Sequence, residues 1–194
     1  MKVEFLNPNI HAADIRRMVK SIETGWLVRG AYTRAFETEL NSFLGNTSFV
    51  TSSCTAALHM SLILAGVKEG DEVITTPISW VATSNVILYQ GAKVVFADVD
   101  PLTGILDINE VKKKITPKTK AIILVHLYGQ MADMKEFAKL GIPIIEDAAH
   151  ALEAERDGIR PGQLGFSACL SFMLRRTSPA GRAGQLLHRR SRSA

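Results

Sequence analysis

Two short runs in this sequence bring together residue types that could do chemistry. The first is Thr51-Ser52-Ser53-Cys54-Thr55-Ala56-Ala57, small and hydroxylated, joining a short apolar run to a helical one. Backbone N–H groups at a helix start have no intrahelical partner, and with the Ser53 and Thr55 hydroxyls beside them they suit a phosphate. Plain helix capping by serine or threonine uses the same residue types. The second run is Glu146-Asp147-Ala148-Ala149-His150, at the end of an apolar stretch. α/β proteins place ligand-binding residues at such strand ends. A carboxylate buried there needs a cationic partner, and three candidates answer for Asp147: the protonated ring nitrogen of a pyridoxal, a structural salt bridge, or magnesium. His150 can hydrogen-bond a cofactor oxygen or pack against the sheet. Trp80, following Thr76-Pro77-Ile78-Ser79, can stack on a flat ring or anchor a core.

The elements that must position these residues follow from hydrophobic periodicity. Residues 10–23 carry Ile15, Met18, Val19 and Ile22 at helical spacing, ended by Gly25, and residues 32–43 form a second helix with Phe36, Leu40 and Phe43 on one face. The loop 25–30 between them suits a ligand contact, a subunit contact or a plain connector. Beyond it, strands are expected at 49–51, 72–75, 93–97, 121–126 and 143–146, and helices at 55–65, 81–89, 109–115 and 131–140. Apolar strands alternating with helices require a sheet covered on both faces. The fold class is α/β, a mainly parallel sheet with helices on both sides. Periodicity fails after Phe172, and residues 173–194 offer no element that would bury a face, so a frayed tail is expected there.

Composition narrows the function classes. The last 24 residues hold six of the 23 Lys and Arg and none of the 19 Asp and Glu, so the net charge of +4 comes from the tail. A nucleic-acid reader needs a basic face on a folded element, and no specific nucleic-acid partner is expected. No apolar run is long enough for a bilayer, and the first residues lack a secretory pattern, which gives the expectation of a cytoplasmic protein with no membrane partner. Cys54 and Cys169 stand alone without metal-ligand spacing and read as buried thiols.

The runs Ser53-Cys54-Thr55-Ala56-Ala57-Leu58, Gly70-Asp71-Glu72-Val73-Ile74, residues 121–130 (AIILVHLYGQ) and Ile145-Glu146-Asp147-Ala148-Ala149-His150 together resemble the DegT/StrS family of nucleotide-sugar aminotransferases. That resemblance covers residues 3–172 and implies the type I fold of enzymes that use pyridoxal phosphate (PLP). It further implies phosphate binding by Ser53, Cys54, Thr55 and Ser171, ring stacking by Trp80, an ion pair from Asp147 to the pyridine nitrogen, and a contact from His150 to the cofactor's phenolic oxygen. Many family members have glutamine where His150 stands. The family pattern implies amino transfer from a donor such as glutamate to a keto group of a nucleotide-linked sugar, in polysaccharide or antibiotic-type sugar synthesis, by a homodimer.

In the family the Schiff-base lysine follows the serine at position 171 by five residues, where this chain has Arg176. A guanidinium stays protonated and is not an amine nucleophile, so no catalytic residue is assigned at that position. No lysine occurs after Lys139. A frame change accounts for this. Deleting one base from a coding sequence for Phe-Tyr-Ala-Thr-Lys-Asn-Ile-Thr-Ser-Gly-Glu-Gly-Gly-Ala-Ile-Ala-Thr, with codons chosen to fit, gives residues 172–187 of this chain, and His188 if the next base is C or T. The expectation is a partial PLP-binding large domain over residues 1–172, a non-homologous basic tail over 173–194, and no C-terminal small domain. Such a chain would lack covalent cofactor attachment, be catalytically incompetent, and be marginally stable with uncovered apolar faces. Two other readings are a PLP sugar dehydratase that works without the lysine and a non-catalytic phosphate-binding or regulatory protein.

Overall fold

The computed structural model describes residues 10–172 and the backbone of a strand at 184–188. Two helices lead, α1 (Ala12–Glu23) and α2 (Ala31–Leu44). Then strand and helix alternate: β1 (Thr47–Thr51), α3 (Cys54–Leu64), β2 (Glu72–Thr75), α4 (Ala82–Leu88), β3 (Lys93–Phe96), α5 (Ile108–Lys114) and β4 (Thr119–Val125). α6 (Met134–Ala138), β5 (Ile144–Ala148), β6 (Ser167–Ser171) and β7 (Gly184–His188) complete the order.

The seven strands form one sheet in the order β1-β7-β6-β5-β4-β2-β3. β2, β3, β4, β5 and β6 pair in parallel, while β7 runs antiparallel to both neighbours. Alternate residues of the central strands supply two cores, as a sheet buried on both faces demands. Val73, Ile123, Ile145 and Cys169 pack with Leu58 and Leu62 of α3 and Val86 and Ile87 of α4. Ile74, Ile122, Leu124 and Ile144 meet Val111 of α5 and Met134 and Phe137 of α6 on the opposite face. A third cluster joins Leu40 and Leu44 of α2 to Ala168, Leu170 and Phe172, with the Phe36 and Phe172 rings edge to face at 5.1 Å.

Several expectations are corrected. Residues 184–188 form a strand inside the sheet, so the tail is not without an element. Residues 173–183 and 189–194, Arg176 among them, lie outside the described residues. The helix expected over 131–140 is only Met134–Ala138, because Asp133 caps it late by accepting from the Glu136 N–H at 3.2 Å. β5 runs on through Asp147 to Ala148, where the sequence reading stopped it at 146. α1 is amphipathic as expected, but nothing among the described residues covers its stripe: Ile15, Met18, Val19 and Ile22 are all exposed.

Candidate functional site

Every sequence-predicted site residue that the structure describes sits at or just beyond the carboxyl end of a strand, or at the start of the helix that follows it. β1 ends at Thr51, whose hydroxyl donates to the Ser53 carbonyl at 2.9 Å and tightens the turn into α3. Ser53 is the N-cap, with extended φ/ψ of −163° and 160°, and its Oγ accepts the Ala56 N–H at 3.1 Å. The cap uses a lone pair of that hydroxyl and leaves its proton able to donate. Cys54 and Thr55 form the first turn and are partly buried.

Ser171 closes β6 and is buried. In the sheet register it stands opposite Gly184, and Gly184 stands opposite Thr51 on its other side. Two strand spacings, roughly 10 Å, therefore separate Ser171 from the end of β1. The fold brings the two candidate phosphate elements together across β7.

Asp147 lies between Val125 of β4 and Cys169 of β6 and is 6% exposed. Its Oδ2 accepts from Thr83 Oγ1 at 2.9 Å and its Oδ1 from the Ala149 N–H at 3.3 Å. Since the Thr83 proton is committed to Asp147, the Ser79 hydroxyl at 2.9 Å donates to Thr83 Oγ1. No Lys, Arg or His of the described residues forms an ion pair with Asp147, which leaves it suited to a cation from outside the described chain. Trp80 is 70% exposed and is tied to the same turn, its carbonyl accepting the Thr83 N–H at 3.0 Å. A buried carboxylate without an ion-pair partner suits the protonated nitrogen at the edge of a flat ring, and an exposed indole suits the face of such a ring. These residues fit PLP.

Glu146, on the opposite face of β5, has a different task. Its Oε2 meets His126 Nε2 at 2.8 Å, and its Oε1 accepts the N–H groups of Gly162 at 3.0 Å and Gly165 at 3.1 Å. His126 Nδ1 accepts the Ala132 N–H at 3.3 Å, so Nε2 carries the proton and donates to Glu146. Both side chains are fully buried. Neighbouring carboxylates thus divide: Glu146 ties down the β5–β6 crossover, and Asp147 faces the site.

His150, just past β5, is partly buried, and its Nδ1 accepts the Tyr128 N–H at 3.3 Å. Cys169 is buried, and burial pushes its thiol well above the usual range, with Ser61 Oγ at 3.4 Å. Cys54 is only partly buried, against the expectation for it. Among the described residues no cluster could hold a metal ion, and no helix is long and apolar enough to cross a membrane.

The sequence reading passed over Thr83, Ser79, His126 and Gly165. Ser79 and Thr83 had a usable signal, a four-residue spacing across a helix entry that puts two hydroxyls on one side. Gly165 had none, because the need for a hydrogen at that Cα arises only from Glu146, far away in sequence.

The sequence profile of the DegT/DnrJ/EryC1/StrS aminotransferase family matches residues 8–192. The chain belongs to that family. Its DegT/DnrJ/EryC1/StrS relatives include the spore coat polysaccharide biosynthesis protein SpsC of Bacillus subtilis, 36% identical over 92% of this chain and 47% of SpsC. Another is the GDP-perosamine synthase of Vibrio cholerae, 34% identical over 93% of this chain and 51% of the synthase. Among solved structures, NtdA of Bacillus subtilis with bound PMP superposes with a TM-score of 0.86 at 30% identity, covering 96% of this chain and 45% of NtdA. The chain spans about half the length of the curated relatives it matches.

Proposed function

We propose that this chain carries the cofactor-binding part of a PLP-dependent sugar aminotransferase. The observation that carries the reading is Asp147, a buried carboxylate with two neutral donors, no ion-pair partner among the described residues, and Trp80 on the turn that supplies Thr83. When bound, PLP supplies an electron sink through which an amino group passes from one substrate to another. The chain's own contributions are as follows. The α3 start with Ser53, Cys54 and Thr55, together with Ser171, holds the phosphate; Asp147 keeps the ring nitrogen protonated; Trp80 covers the ring; His150 bonds the phenolic oxygen. The polysaccharide biosynthesis for which SpsC is named and the GDP-perosamine synthesis of the Vibrio cholerae relative support a nucleotide-linked keto-sugar as amino acceptor, with an amino acid as donor; a homodimer is part of the same reading.

We further propose that covalent attachment is lost at Arg176 and that the reading frame changes after Phe172. Residues 1–172 then represent the PLP-binding large domain, and 173–194 an out-of-frame segment. Support comes from the side-chain chemistry of arginine and from the single-base reconciliation of residues 173–187.

The test is binding of PLP to the 194-residue chain, followed by borohydride reduction and peptide mapping. Reversible binding is expected, weakened at least tenfold by Asp147→Ala, with no pyridoxyl label in residues 170–194. Unchanged binding in Asp147→Ala refutes the site. Reading the gene in the alternative frame from the Phe172 codon should give a lysine in place of Arg176 followed by a glycine-rich stretch; early stop codons and no such motif refute the frame change.

A further inference from the structure

The short 3-10 turn Leu127–Gly129 contains a backbone outlier. Tyr128 has φ 54° and ψ 27°, the left-handed region, although it is neither glycine nor asparagine. Bulky residues occupy that region only where the surroundings demand it, and such outliers gather at functional sites. Burial is not the reason, since Tyr128 is 87% exposed.

What the conformation achieves is contact with His150. The Tyr128 N–H donates to His150 Nδ1 at 3.3 Å, and the two rings lie parallel, 3° apart in plane with centroids at 5.8 Å. The next residue, Gly129, has φ 83°, and a Cβ there would stand 3.2 Å from the His150 carbonyl oxygen, so the turn lies directly against residue 150. A backbone amide can only donate, which makes Nδ1 an acceptor and puts the proton of the neutral imidazole on Nε2.

We propose that Tyr128 is a positioning residue: its amide fixes the His150 tautomer and its ring fixes the His150 plane, so that Nε2–H serves as the donor to the cofactor's phenolic oxygen. This rests on the PLP reading above for the identity of the acceptor, but not for the tautomer. It sets a chemical requirement at position 150, namely one atom that accepts from Tyr128 and another that donates onward. A glutamine amide meets it; glutamate accepts only, and leucine does neither.

The experiment is amide hydrogen exchange by NMR on the 194-residue chain. The Tyr128 amide, in an exposed turn, should be protected in the wild type and in His150→Gln, and should exchange about tenfold faster in His150→Leu. Equal exchange in the wild type and His150→Leu overturns the proposal. Tyr128→Gly suits the left-handed backbone and keeps the N–H. It should retain protection while the carbon-bound His150 protons lose the ring-current shift of the stacked phenol; protons that do not move overturn the stacking role. For PLP affinity by equilibrium dialysis, His150→Gln should match the wild type within about threefold and His150→Glu should fall about tenfold. Comparable binding by His150→Gln and His150→Glu overturns the donor role. Absence of PLP binding in every variant refutes the PLP reading instead, and the exchange result still decides the role of Tyr128.

Discussion

Replacing Gly165 by alanine tests how the site is held. A Cβ at this position would lie 2.3 Å from Glu146 Oε1 and 3.0 Å from its Cδ and Cγ. That approach is far inside van der Waals contact, and Glu146 is fully buried, so its carboxyl has no open space into which to swing. If Oε1 moves, the N–H groups of Gly162 and Gly165 lose their acceptor together. Each buried N–H left unsatisfied costs about 1–3 kcal/mol, so Gly165→Ala should lose about 2–6 kcal/mol. Set against a whole-domain stability of about 5–15 kcal/mol, that is a large share. The assay is urea denaturation followed by circular dichroism. Gly158→Ala is the control: Gly158 has φ 74° but no atom within 4 Å of where a methyl would stand, so its cost should be limited to about 1–2 kcal/mol of backbone strain. Adding Glu146→Asp to Gly165→Ala shortens the side chain and should restore part of the loss. If Gly165→Ala costs no more than the control, the tether argument is wrong.

Three further outcomes are expected. Thr83→Val keeps the shape of α4 but removes the hydroxyl that donates to Asp147, and should weaken PLP binding about three- to tenfold with a stability loss of about 1–2 kcal/mol; unaltered binding by dialysis counts against the Ser79–Thr83–Asp147 chain. Removing residues 173–194 should abolish exchange protection of the Phe49 amide, which points toward β7, while Ser48 and Val50, bonded to Asn41 and Glu37 of α2, stay protected; uniform behaviour of the three amides would contradict the strand order. At Glu37, burial opposes ionisation, but the Arg29 guanidinium and the Val50 N–H outweigh it and hold the carboxyl below its ordinary value of 4.5. A depressed carboxylate contributes stability above its unfolded pKa and loses that contribution as pH falls through the folded one, so acid titration should show destabilisation beginning near pH 4.5 and continuing downward, with Arg29→Met narrowing the window from below.

The parallel sheet was readable because its strands are apolar throughout and separated by helical runs of ordinary length. The position of Asp147 and Ser53 in the fold was readable for a related reason: in such a sheet the parallel strand ends face one way, so polar residues at those ends converge. Thr83 was hidden by its commonness, a threonine in a helix with no charge or aromatic to mark it. The division of Glu146 from Asp147 follows from strand alternation once β5 is known to include both residues, but a strand ended at 146 conceals it. β7 was missed because an antiparallel strand between parallel neighbours needs no helix before it and only five residues. Leu186 and Leu187 made too short a run to register as an element.

The placement of β7 also bears on the order in which the chain can fold. β1 is made early, yet its strand partner among the described residues is β7, the last of the seven strands in sequence. β2 through β6 can pair with one another as soon as they are synthesised, since each has a neighbour in that set. β1 must wait, held meanwhile by α2 and by the packing of α3. The Ser53 turn therefore gains its full anchorage only in the final step of sheet assembly, when a loop spanning most of the chain closes. Until then the edge of β6 stands open to pairing with another chain. Any change to residues 184–188 acts first on that closing step, and so on the yield of folded protein, before it acts on chemistry.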